Sequence, residues 1–321
     1  MLTSTVEPST AARTRPSYST FPVSVVRLQR RSESFVRVTF GGGSLRDFGT
    51  TGLDQRIKVI LPLPGIGVSA FPDGIDWYAS WRALPEQLRN PIRTYTVRAV
   101  RPEAAEIDVD FVLHGDGGPA SRWVAGAAVG DELAIVGPHV EAEDPLSGVE
   151  WRPGDARTVL LAGDETAAPA VCSILAALPR ETRGSAFIEV PCAADIEVTD
   201  APAGVTVTWL PRTHTRRAHG VALSDAVREW TALHLAGRAA AGSVSAVSAT
   251  EQNDEDDIDI DHGILWEVPQ QRSTDDGLYA WLAGEAGAIK SLRRFLVSES
   301  GIDRRRVAFM GYWRAGRAEL N

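Results

Sequence analysis

Arg93-Thr94-Tyr95-Thr96-Val97-Arg98 brings two guanidiniums, an aromatic ring and two hydroxyls into six residues. A strand built for packing alternates apolar and polar side chains. Here only Tyr95 and Val97 are apolar. In extended backbone Arg93, Tyr95 and Val97 point to one side, and Thr94, Thr96 and Arg98 to the other. A cation beside an aromatic ring suits a ligand with both a phosphate and a flat ring, such as a flavin dinucleotide. The same run also reads as a polar edge strand of a barrel.

Three further segments place glycines and charges at strand ends. Leu113-His114-Gly115-Asp116-Gly117-Gly118-Pro119-Ala120-Ser121-Arg122-Trp123 joins a strand to a short helix. Glycines let backbone amides approach an anion, and a helix start favours negative charge. The segment fits either a pyrophosphate cradle or an ordinary turn. Gly163-Asp164-Glu165-Thr166-Ala167-Ala168-Pro169 follows an apolar strand. It is not a GxGxxG loop. Thr166 is placed to cap the next helix, and Asp164 and Glu165 to accept from a ribose or adenine. Trp281-Leu282-Ala283-Gly284-Glu285-Ala286 repeats the strand-to-helix switch, with Lys290, Arg293 and Arg294 on one side of the helix after it. Arg212, Arg216 and Arg217 follow another strand and read as a charged loop or as partners for a nucleotide 2′-phosphate.

Composition limits what these residues serve. The 321 residues suffice for two domains, with 44% hydrophobic residues. A net charge of -9 argues against nucleic-acid binding through bulk electrostatics. Two cysteines, Cys172 and Cys192, make no CxxC pair and no iron–sulfur ligand set, so reduced structural thiols are expected. The six histidines form no HxxxH or His/Cys cluster, and no built-in metal is expected. No run of apolar residues is long enough for a membrane span. Residues 1–17, rich in Ser, Thr, Pro and Arg, read as a disordered tail and not as a signal peptide.

The elements that must position these groups fall into two classes. From 18 to 145 the pattern is β-branched and alternating, with strands expected over 23–28, 34–40, 57–61, 93–98, 105–113 and 131–138. They predict a closed antiparallel barrel. A Pro/Gly-punctuated link over 144–155 leads into 146–321. There apolar strands (157–163, 186–190, 205–210, 278–284 and 307–313) alternate with helices (165–178, 222–236 and 285–298). That order predicts a doubly wound parallel sheet of the NAD(P)H-binding type. Residues 237–261, small and then acidic, read as a disordered insertion.

RTYTVR, HGDGGPASRW, AGDETAAPA, WLAGEA and the terminal GYWRAGRAE, in this order, resemble the siderophore-interacting protein family over about 18–319. The resemblance implies a cytoplasmic, monomeric, FAD-dependent ferric-siderophore reductase of the ferredoxin-reductase-like superfamily, a flavoprotein of iron homeostasis. It implies Arg93 at the FAD phosphates, Tyr95 stacked on the ring and Thr96 at its reactive edge, the last two counted as catalytic. His114, Gly115, Gly118, Ala120 and Ser121 would surround the diphosphate, with Asp164, Thr166 and Ala167 at the adenosine end. Lys58, Lys290, Arg293 and Arg314 would receive an anionic ferric chelate. The electron donor would be NAD(P)H, with Arg212, Arg216 and Arg217 favouring NADPH, or ferredoxin. The alternatives are a flavin or ferredoxin-type reductase with another acceptor, and a siderophore- or flavin-binding protein without turnover.

Overall fold

The computed structural model describes residues 17–49, 51–74, 76–113, 118–144, 146–214, 217–240, 266–269 and 277–316. The first half is a closed barrel of β1 (Tyr18–Arg30), β2 (Phe35–Gly41), β3 (Arg56–Ile60), β4 (Ile92–Arg101), β5 (Glu106–Val112) and β6 (Glu132–Pro138), in the order β1-β2-β5-β4-β3-β6. β6 pairs antiparallel with β1 and closes the ring. Two short helices, α1 (Trp77–Ala83) and α2 (Pro119–Gly126), lie between strands. Period-two patterning sends Val38, Phe40, Ile57, Val59, Ile107, Val109, Phe111, Leu133 and Ile135 into the barrel, where they are buried in one cluster. Each is worth about 1.5–3 kcal/mol of burial. Outside, Arg37 grips Asp110 with two bonds of 2.7 and 2.8 Å, and Arg101 grips Asp108 with two of 2.8 and 2.7 Å. These pairs tie β2 and β4 to β5.

The second half is one six-stranded sheet built from β7 (Thr158–Gly163), β8 (Arg183–Val190), β9 (Val205–Pro211), β10 (Trp266–Glu267), β11 (Leu278–Glu285) and β12 (Val307–Trp313). Its order is β10-β12-β11-β7-β8-β9. All neighbours run parallel except the edge strand β10, which opposes β12. Helix α3 (Ala168–Ala177) covers one face, and α4 (Val221–Ala240) and α5 (Ala286–Arg293) the other. β7 has β8 on one side and β11 on the other, so the winding reverses between β7 and β11. The carboxyl ends of those two strands frame the crevice where open α/β sheets take ligands.

Several local expectations shift. The first helix of the second half starts at Ala168 and not at Glu165, because the amides of Ala167 and Ala168 turn back onto the Asp164 carbonyl at 3.0 Å each. Thr166 therefore does not cap it. The helix expected to reach Ser298 is α-helical only to Arg293 and continues as a π-helical stretch over Arg294–Glu299. Helix α4 runs on to Ala240, so the first four residues of the expected insertion are helical; 241–265 lie outside the described residues. The expected link over 144–155 is anchored. Val149 and Trp151 are buried in the core of the second half, and buried Asp54 of the barrel accepts the amides of Glu150 and Trp151 and the Trp281 indole. Among the described residues no helix is long and apolar enough to cross a membrane.

Candidate functional site

β4 carries the opening motif past β3, with Tyr95 opposite Ile57 and Thr94 opposite Lys58. The Tyr95 ring lies against Phe111, with centroids 4.3 Å apart, so packing from below fixes it while it stays half-buried. Thr96 is buried beside it, and Arg93, also half-buried, donates to the Ile92 carbonyl at 2.7 Å. The Lys58 ammonium donates to Thr94 Oγ1 at 2.7 Å. A bulge between Val97 and Ala99 breaks the β4–β5 register at the end of the motif.

Helix α2 opens next to this strand's neighbour, β5. Gly118 enters it in extended backbone, Pro119 holds its first turn, and no side chain caps it. The first-turn amides, those of Ala120 and Ser121 among them, therefore face whatever acceptor lies at that end. A Cβ on Gly118 would meet nothing within 4 Å, so the approach is open. His114 and Gly115 lie outside the described residues.

At the switch crevice the chain packs charge into its own interior. Asp164 Oδ1 accepts the Thr166 amide at 2.9 Å and hydroxyl at 2.5 Å; Oδ2 accepts the Glu285 amide and the Trp313 indole, both at 2.8 Å. Gly284 makes this possible: at φ 149° a Cβ there would fall 2.6 Å from Oδ2. Glu165 receives Arg212 in a two-pronged pair of 2.7 and 2.8 Å, and Arg212 also reaches Glu189 at 3.3 Å. His219 Nε2 stands between the two carboxylates, 3.5 Å from Asp164 and 3.6 Å from Glu165.

These distances set the charges. Burial and the neighbouring Glu165 raise the Asp164 pKa. Burial also pushes Glu165 upward, but His219 and Arg212 outweigh it and hold that carboxyl at about 2. For His219 burial opposes the proton, and Glu165 and Asp164 overcome it, leaving the pKa above the ordinary histidine value. His219 thus bridges the two acids, both of which favour its proton.

Two known families match the two halves of the chain. Residues 24–142 match the siderophore-interacting FAD-binding domain, and residues 156–316 match the siderophore-interacting protein domain. The chain belongs to the siderophore-interacting protein family. It is 28% identical over 299 residues to the ferric vibriobactin reductase ViuB of Vibrio cholerae, covering 92% of this chain and 89% of that one. It is 27% identical over 301 residues to the NADPH-dependent ferric-chelate reductase of Escherichia coli, covering 91% and 92%. A siderophore utilization protein from T. fusca superposes with a TM-score of 0.65 at 28% identity, covering 96% and 97%.

The basic residues expected of such a family member fall in separate places. Lys58 stands on β3 beside the β4 motif, and Arg314 follows Trp313 at the carboxyl end of β12. Lys290 is half-buried in the middle of α5. Arg293 lies one turn further, toward the opposite edge of the sheet, where Glu267 of β10 receives it at 2.7 Å together with Arg304 at 2.9 Å. Arg217 pairs with Asp225 on the surface at 2.6 Å, and Arg216 lies outside the described residues. Ala167 is fully buried below the crevice. His219, Trp313 and Glu285 were not singled out as site residues in the sequence. Only GYWR, which contains Trp313, and WLAGEA, which contains Glu285, signalled their segments.

Proposed function

We propose that this chain is a cytoplasmic FAD-dependent reductase that takes electrons from NADPH and delivers them to the iron of an anionic ferric siderophore. The observation that carries the reading is the Arg93-Tyr95-Thr96 strand together with the uncapped start of α2, both of which contact β5. The donor set fits the cofactor. Arg93 and the first-turn amides of Ala120 and Ser121 suit the diphosphate, with Gly118 leaving the backbone accessible. Tyr95, braced by Phe111, offers a rigid ring for stacking, and Thr96 a hydroxyl at the ring's edge. His114 and Gly115 complete the set by family resemblance.

Bound FAD supplies the redox chemistry, accepting a hydride and releasing electrons singly. The chain's residues bind and orient. Lys58, Lys290 and Arg314 offer positive charge to the chelate. Fe(II) holds hard oxygen ligands less tightly than Fe(III), so reduction loosens the iron. For the donor, Arg217 together with Arg216 suits a 2′-phosphate, since an exposed pair such as Arg217–Asp225 exchanges partners at little cost. Arg212, engaged by two carboxylates, serves the crevice itself. Support for a reductase also comes from the activities named for the Vibrio and Escherichia relatives.

The purified protein should be yellow, or become so with FAD. Anaerobic NADPH should bleach it, and a ferric hydroxamate should restore the colour. Bleaching without recovery by any ferric chelate would indicate another acceptor. A colourless protein that FAD cannot reconstitute would end the proposal.

A further inference from the structure

Besides the Asp54 network and the Arg56 guanidinium stacked on Trp266 at 4.3 Å, two patches flanking a cavity hold the α/β half against the barrel. In one, α3 packs on β4, and Ser173, Ala176 and Ala177 share a cleft with Val97, Ala99 and Val100. These side chains are small, and a smooth apolar contact of this kind resists sliding and rotation poorly. Beside it opens a cavity of about 370 Å³, whose walls include Arg98, Pro169 and Cys172 together with Ser32, Asp195 and Glu197.

The second patch spans the cavity. Asp195, in the turn after β8, is 3% exposed. Its Oδ1 accepts the Ser32 hydroxyl at 2.5 Å, and its Oδ2 accepts the Ser34 hydroxyl at 3.0 Å and the Cys192 amide at 2.8 Å. Ser32 is itself held, because its oxygen accepts the amides of Ser34 and Phe35 at 3.1 Å each. Outside this core, Arg31 pairs with Glu197 at 3.1 Å. Serine arms are short and hydroxyl bonds directional, so three donors from two halves fix an angle that a small-residue contact does not.

We propose that Asp195 is a positioning residue: on its side of the interface it sets the orientation of the α/β half, and so the reach from its strand ends to β4 at Tyr95 and Thr96. The kinetic part rests on the reductase reading above; the geometric part does not. Because the cavity reaches Ser32, water can take the place of the carboxylate there when it is removed, and each half keeps its own fold.

Spin labels at V129C on the barrel and R180C on the α/β half, in a C192S background, give the distance between halves by pulsed EPR. Both sites are exposed, at 67% and 71%. D195A should broaden a single narrow distribution, and S34A and D195N, each of which keeps the Ser32 bond, should do so less. In the unlabelled protein D195A should slow flavin reduction at saturating NADPH about tenfold, with KM and FAD content unchanged, and D195N should recover the rate. A D195A distribution superimposable on the parent's overturns the proposal. So does broadening with an unchanged reduction rate. A parent that no pyridine nucleotide reduces overturns the donor reading instead, and the EPR distances still decide the role of Asp195.

Discussion

The indole of Trp313 donates to Asp164 Oδ2 at 2.8 Å, joining the end of β12 to the end of β7 across 149 residues. The same oxygen takes the amide of Glu285 at the end of β11. One buried carboxylate thus gathers the three strand ends that border the switch crevice. Arg314 directly follows Trp313, so Asp164 also sets where that cation stands.

Trp313→Phe should therefore cost more than its loss of size. It removes one donor from a desolvated carboxylate, for which about 1–3 kcal/mol is expected. Urea titration reads the cost. Affinity for a ferric chelate should fall as well, through displacement of Arg314, while FAD content stays unchanged. Unaltered stability would mean that the Asp164 carboxylate does not depend on the indole.

The His219 clamp gives stability a pH dependence with a definite sign. Its folded pKa lies above the ordinary 6.5, so its contribution is complete below that pH and is lost as pH rises through the folded pKa. Asp164, also raised, favours its proton in the same sense, though from the acid side. Glu165 acts oppositely: held at about 2 against an ordinary 4.5, it stabilises above 4.5 and its contribution fades as pH falls toward 2. His219→Gln should remove the decline above pH 6.5 and, by taking a partner from Glu165, weaken the acid limb that Arg212 alone would then support. Denaturation curves from pH 5 to 9 for both proteins test this; parallel curves would exclude His219 as the source.

What the sequence disclosed was local. Arg93 to Arg98 is one strand, and Gly118 to Ser121 one helix start, so residue order alone assembles both. The crevice network is legible only after folding. Arg212 meets Glu165 across 47 residues and Trp313 meets Asp164 across 149, and neither spacing follows a secondary-structure period. The anchoring of the segment over 144–155 was illegible for the same reason: the buried Asp54 that accepts two of its amides lies about 96 residues earlier, on the approach to β3. β10, two residues long, carries no periodic signal at all.

Arg212 and Arg217 should separate a structural guanidinium from a cofactor-binding one. Arg212→Ala strips Glu165 and Glu189 of a common partner in the interior, and breaking a buried pair costs about 3–5 kcal/mol. A lower melting temperature with both pyridine nucleotides equally affected is expected. Arg217→Ala should leave stability within about 0.5 kcal/mol, as befits a surface site. It should raise KM for NADPH about tenfold while KM for NADH holds, a difference of about 1.4 kcal/mol. Equal changes for both nucleotides would remove Arg217 from the 2′-phosphate.

Lys58 combines a charge with a hydrogen bond, and the two can be parted. Its ammonium holds Thr94 Oγ1 at 2.7 Å, so Lys58→Glu alters both the field at the mouth of the site and the support of the β4 motif. Thr94→Val removes only the bond. If Lys58 serves the chelate by charge, Lys58→Glu should weaken binding of an anionic ferric siderophore about tenfold, with a steeper loss at low salt, where screening is weak. Thr94→Val should change it little, and both variants should bind FAD as the parent does. If Lys58 instead braces the strand, the two variants should lose FAD together and show no salt dependence. Flavin absorbance per chain and chelate quenching of protein fluorescence at two ionic strengths distinguish these outcomes.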